Sequence, residues 1–336
     1  MALLPAVDRT ALSNFAALGG QFRISLTPRC NIACWFCHNE GDVPPPLTRQ
    51  DHSRQPRARE LTAEHYLRVL REVTDAGLRR VYFTGGEPLS SPLARPVLTQ
   101  LPEPGPQGSY TLITNGTLVR RNLDWLRESR LDRVKVSLHY FSDESLAAIA
   151  RTTVGIGTVL DGIEAARDTF GRVELNTLLQ RENEHEIVSI LEYALEQRLP
   201  VQFIELVDTG FNAGHRSRAV PATGIVTHLR TLTSDERVEI TGVGQGRRVF
   251  RVDGIEIDVI ERGLGRHHVG QCGTCPMRPT CTEGLWALRM DHAGGVQPCL
   301  LRDDLRLDIR PQLAEDGPAV AEAVARHVAG FTEGVL

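Results

Sequence analysis

The sequence predicts an α/β protein, a partial (β/α)6 barrel of parallel strands followed by a small, cysteine-bearing C-terminal domain. Three observations lead there. Short β-like runs alternate with amphipathic helical stretches between Phe22 and about Val207. The alternation stops near Asp208, and the cysteines beyond that point form a group of their own. A chain of 336 residues is long enough for one large domain with an appendage. The expected division is a barrel core over 1–210 and a C-terminal domain over 211–336.

The apolar runs are FRISLT (22–27), RVYFT (80–84), YTLIT (110–114), RVKVSL (133–138), RVELNTLL (172–179) and PVQFIEL (200–206). Between them lie helical patterns such as LTAEHYLRVLREVTDAG (61–77) and EHEIVSILEYALEQR (184–198). In the second, Ile187, Ile190, Leu191, Ala194 and Leu195 recur at helical spacing, so one face is buried. Strands separated by helices pair in parallel through right-handed crossovers. The loops at the C-terminal ends of such strands carry the chemistry. Residues 40–60 are polar, Pro-rich and basic, and read for most of their length as a solvated loop, with covering a bound substrate as the alternative. Past Asp208 come a helical run, β-like runs at 248–260, the second cysteine group and a helical tail at 313–330.

The net charge of −4 argues against a nucleic-acid-coating surface, without excluding a local basic pocket. No apolar run reaches the ~18 residues of a membrane helix. Asp8 and Arg9 interrupt the apolar N-terminus, which lacks the order of a signal peptide. The expectation is a cytoplasmic protein with a small-molecule substrate and no membrane or nucleic-acid partner.

The seven cysteines fall into two sets, Cys30, Cys34, Cys37 and Cys272, Cys275, Cys281, Cys299. In a reducing compartment, closely spaced cysteines are more often metal ligands than disulfides. Cys30-x3-Cys34-x2-Cys37 directly follows the first run. Three thiolates ligate three irons of a [4Fe–4S] cube and leave the fourth iron open to a small chelating ligand. The amine and carboxylate of a methionine unit, as in S-adenosylmethionine, suit that iron. A three-cysteine zinc site is the bland alternative, at a spacing zinc knuckles rarely use.

RISLTPRCNIACWFCHNEG, with FTGGEPL at 83–89 and TNGTL at 114–118, resembles the radical SAM family in the family's motif order. The resemblance implies reductive cleavage of S-adenosylmethionine to a 5′-deoxyadenosyl radical, with electrons from a donor such as flavodoxin or ferredoxin. It implies that Gly85, Gly86 and Glu87 meet the methionine part, the missing Cβ atoms of the two glycines permitting close backbone approach. It further implies that Phe36 packs on the adenine and that Ser137 and Val207 contact S-adenosylmethionine. His139 and Tyr140, in the next strand-end loop, are expected substrate contacts.

The second half is similar to the molybdenum-cofactor GTP 3′,8-cyclase subgroup. Arg23, Thr114 and Arg289 fall on substrate-contacting positions of that subgroup. The departures are Tyr82, Glu174 and Ala287 at positions that carry cationic contacts there, and four C-terminal cysteines where that subgroup has three. Four ligands would close a second [4Fe–4S] cluster. The leading expectation is therefore a nucleotide, nucleoside or sugar-nucleotide substrate, with carbon–carbon bond formation or rearrangement, as in tunicamycin-type nucleoside antibiotic assembly. A peptide-modifying radical SAM enzyme and a GTP 3′,8-cyclase are the alternatives.

Overall fold

Each of the six apolar runs is a strand in the computed structural model, which describes residues 10–38, 60–207, 213–240, 246–265, 267–281, 283–334 and 336. They are β1 (Gln21–Ser25), β2 (Arg80–Thr84), β3 (Ser109–Thr114), β4 (Arg133–Ser137), β5 (Val173–Leu179) and β6 (Val201–Glu205). The loop read as solvated, or as a cover for substrate, falls mostly on 39–59, outside the described residues. Helix α1 (Thr10–Ala17) precedes β1. The crossovers carry α2 (Ala63–Asp75), α3 (Ala94–Leu98), α4 (Val119–Leu126), α5 (Asp143–Ala150), α6 (Ile156–Thr169) and α7 (Ile187–Glu196). The start of α2 is fixed by a capping box, in which Thr62 accepts from the His65 N–H and His65 accepts from the Thr62 N–H.

Beyond β6 come α8 (Thr223–Leu232) and the antiparallel strands β7 (Glu236–Glu239), β8 (Arg247–Val252) and β9 (Ile255–Ile260). Then follow β10 (Ala287–Met290), β11 (Gly295–Gln297), β12 (Leu307–Asp308), α9 (Arg310–Leu313) and α10 (Ala319–Thr332). These strands extend the barrel sheet at both edges, in the order β12-β11-β10-β1-β2-β3-β4-β5-β6-β9-β8-β7. β10 pairs in parallel with β1, and β9 in parallel with β6. Residue 210 thus marks the end of the six repeats and not a break in the sheet. The segment from Ile260 to Ala287 must run from one side of the open barrel to the other. It carries Cys272, Cys275 and Cys281 across the gap.

Because side chains alternate along a strand, the two sheet faces differ. Phe22, Ile24, Phe83, Val134, Val136, Leu175, Phe203 and Ile257 join one core with Tyr66, Val69, Leu70, Ile163 and Ile190 of the helices. Residues of the other parity are mostly polar. Arg23 is in register with Tyr82 and Arg289, Lys135 with Glu174, and Gln202 with Asn176 and Asp258. Among the described residues no helix is long and apolar enough to cross a membrane.

Candidate active site and cysteine centres

The loop bearing Cys30, Cys34 and Cys37 is held from three sides. The N–H groups of Ala33 and Trp35 donate to the carbonyls of Ala150 and Ile149, at 2.7 and 3.1 Å. These belong to the last turn of α5, whose carbonyls have no partner within the helix. On the second side, Gly86 N–H donates to Thr27 O at 2.7 Å and Glu87 N–H to Arg29 O at 2.8 Å. On the third, the Asn115 amide donates to Asn31 Oδ1 at 2.9 Å and to Cys30 Sγ at 3.8 Å.

Glu87 joins the second and third sides. Its Oε1 accepts from Leu89 N–H and the Thr114 hydroxyl, and its Oε2 from Asn115 N–H, at 2.8–3.0 Å. The carboxyl is fully buried, and that burial pushes it up to about 7 against the lowering effect of its three donors. The glycines before it serve the cysteine loop first. A Cβ on Gly86 would lie 2.0 Å from Arg29 O, and one on Gly85, at φ +133°, 2.4 Å from Thr27 O. The space that a missing side chain leaves here is filled by the Thr27–Cys30 backbone.

Burial pushes the Cys30 thiol up to about 12 and the Cys34 thiol well above its ordinary value, and the nearby thiols reinforce both shifts. The neighbouring Glu87 carboxylate adds to the rise at Cys30. Three crowded thiols whose charged forms oppose one another make a donor set that a cationic iron–sulfur cluster would stabilise. The residues fit that group.

Cys272, Cys275, Cys281 and Cys299 line one cavity together with Arg278, Arg302 and Phe331. Burial, reinforced by Cys281, raises the Cys272 thiol, and burial with the nearby Glu283 carboxylate raises Cys299 to about 11. Among the described residues no three His, Cys, Asp or Glu side chains are placed to ligate a single metal ion. Four thiols spread around a cavity suit a polynuclear group better than one ion.

The sequence profile of the Radical SAM superfamily matches residues 24–194. The chain belongs to the radical SAM superfamily. It is accordingly an enzyme, and its family implies a [4Fe–4S] cluster and S-adenosylmethionine. The GTP 3′,8-cyclase of Acidothermus cellulolyticus is 30% identical over 315 residues, covering 90% of this chain and 82% of that protein. A probable GTP 3′,8-cyclase of Methanocella arvoryzae is 34% identical over 291 residues, covering 86% and 83%. Among solved structures, Streptococcus suis SuiB bound to S-adenosylmethionine superposes with a TM-score of 0.56 at 15% identity, over 89% of this chain and 64% of SuiB. Native anSMEcpe with bound AdoMet gives 0.54 at 14%, over 94% and 81%. At these identities the likeness to the solved structures is one of fold.

Within the radical SAM core, the residues singled out in the sequence take distinct places. Phe36 lies edge-on to His139, ring centroids 5.0 Å apart, and so faces the end of β4 near Ser137. His139 itself is buried, and burial lowers it to about 4; its Nδ1 accepts from Leu178 N–H at 3.0 Å. That bond ties β4 to β5, so the ring has a structural task. Tyr140 is also fully buried. Val207 is half-buried just beyond β6. The Thr114 hydroxyl donates to Glu87 and accepts from Gly116 N–H, so it is committed within the turn.

The two arginines differ. The Arg23 guanidinium lies over the rings of Tyr82 and Trp286, at 5.8 and 5.3 Å. Arg289 is 2% exposed and ion-paired with the equally buried Glu283, whose Oε1 also accepts from Trp286 Nε1 at 2.9 Å. Glu174 sits between Arg133 and Lys135, at 3.1 and 3.2 Å. Sequence reasoning missed Asn115, Glu283, Trp286 and Arg302. Asn115 was within reach, since it belongs to the TNGTL motif; for Arg302 nothing in the local sequence signals contact with a cysteine.

Proposed function

We propose that this radical SAM enzyme abstracts hydrogen from a nucleotide, nucleoside or sugar nucleotide other than GTP, in the biosynthesis of a specialised metabolite. In this reading Cys30, Cys34 and Cys37 hold the first cluster, and Cys272, Cys275, Cys281 and Cys299 a second [4Fe–4S] cluster with no open iron. When bound, the first cluster and S-adenosylmethionine supply a carbon radical, the electron coming from a donor such as flavodoxin or ferredoxin. The chain's own part is to orient and enclose. Gly85, Gly86 and Glu87 fix the cysteine loop, Phe36 offers an aromatic edge for the adenine, and Ser137 and Val207 sit at strand ends for the rest of S-adenosylmethionine.

The observation that carries the substrate class is Glu174 between Arg133 and Lys135 on the polar sheet face. One carboxylate shared between two cations cancels part of their charge. Arg289 is likewise countered, by Glu283. A triphosphate therefore meets less positive charge than the count of arginines implies. The nucleotide class itself draws support from relatives named GTP 3′,8-cyclase.

Those same relatives favour a second reading, GTP 3′,8-cyclisation, since the likeness spans most of both chains. Purified enzyme with S-adenosylmethionine, a reductant and GTP decides between them. The expected result is no 3′,8-cyclised product and no rescue of a strain lacking the cyclase. Efficient GTP turnover would establish the second reading instead.

A further inference from the structure

We propose that Arg302 sets the reduction potential of the second iron–sulfur site by donating a hydrogen bond to the sulfur of Cys275. The inference rests on the reading in which the four C-terminal cysteines hold a cluster. Arg302 Nη1 lies 3.9 Å from Cys275 Sγ. Its other edge is clamped by Asp304, whose carboxylate accepts from Nε at 2.6 Å and from Nη2. That clamp leaves Nη1 directed at the sulfur. The residue before it acts alike, Leu301 N–H donating to Cys299 Sγ at 3.4 Å. Two consecutive residues thus aim donors at two different ligands of one site.

Hydrogen bonds to ligating sulfurs favour the reduced, more negative state and raise the potential. The guanidinium adds its charge to that effect, in part offset by the Asp304 carboxylate that clamps it. The cavity is lined by Arg278 as well as Arg302, and the carboxylates around it include Asp304, paired with Arg302, and Glu283, paired with Arg289. At the first site the amide donor to Cys30 is the neutral Asn115, and a buried carboxylate, Glu87, stands close by. Arg302 is a positioning residue in this account: it touches a ligand and no reacting atom. Its side chain is a quarter exposed and lies outside the hydrophobic core.

The test uses the chain with Cys30, Cys34 and Cys37 changed to Ala, so that iron signals come from the second site alone. Reconstituted anaerobically, it should hold about four irons. A chain that binds no iron there would end the second-cluster reading itself, a result distinct from failure of the Arg302 assignment. In this background, Arg302→Ala should keep its iron and titrate, by paramagnetic resonance at poised potentials, at a more negative midpoint. Arg302→Lys should recover part of the shift. Arg302→Gln keeps an N–H donor without the charge, and should fall between Ala and the parent even if the Ala variant loads iron poorly. Midpoints of the Ala and Gln variants equal to that of the parent would overturn the proposal.

Discussion

Replacing Gly86 by Ala tests how the first cysteine loop is built. The added Cβ would sit 2.0 Å from Arg29 O and 2.7 Å from Cys30 N, both backbone atoms that no side-chain rotation can move aside. Forcing a methyl group into a filled site costs about 1–3 kcal/mol. The turn must also retreat from its two backbone hydrogen bonds, Gly86 to Thr27 and Glu87 to Arg29, each worth about 1 kcal/mol. The expected loss is about 3–5 kcal/mol, concentrated on the loop that carries Cys30. Gly157 in α6 is the control, since a Cβ there meets nothing within 4 Å. Iron per chain after anaerobic reconstitution, denaturant unfolding and 5′-deoxyadenosine formation should be measured together. Gly86→Ala should lose the first site's iron and its cleavage activity, while Gly157→Ala keeps both. A Gly86→Ala enzyme with full iron, and stability within about 0.5 kcal/mol of the parent, would refute the idea that these glycines exist for the cysteine loop.

Two further outcomes follow from buried charges. His139 is lowered to about 4 by burial, so the unfolded chain binds the extra proton first as pH falls. Its contribution to stability is complete above pH 6.5 and is lost progressively from there towards 4. Between pH 7.5 and 5.5 the parent should therefore lose about 1 kcal/mol more than His139→Asn, by urea unfolding; an equal or smaller loss would contradict the burial argument. Glu283→Gln removes the buried carboxylate paired with Arg289 and should cost about 3 kcal/mol. A double change with Arg289→Gln should be less harmful than the sum of the two singles, and simple additivity would show that the pair is not coupled.

The strands were legible because buried parallel strands are short apolar runs between turn signals, and all six were found within a residue or two of their ends. The helices at 61–77 and 184–198 announced themselves by apolar spacing in the same way. What the sequence hid was long-range register. Nothing local to IEIDVI or ALRM says that β9 and β10 flank the barrel on opposite sides. The ion pairs followed the same rule. Glu174 is far in sequence from Arg133 and Lys135 and meets them only because β4 and β5 pair in one particular register. The cysteines and the Gly-Gly-Glu turn were readable as motifs, but the reason for the glycines was not. Their neighbours are backbone atoms of a loop almost 60 residues earlier. Arg289 was placed by resemblance alone, and its pairing with Glu283 was not readable because Glu283 lies outside any periodic element.

The most direct test of the central claim is the formation of 5′-deoxyadenosine by the reconstituted enzyme given S-adenosylmethionine and a strong reductant. The parent chain should hold about eight irons and release the nucleoside. With Cys30, Cys34 and Cys37 changed together to Ala, about half the iron should remain and the nucleoside should not form. Cleavage that persists in the triple variant would contradict radical S-adenosylmethionine chemistry at this site.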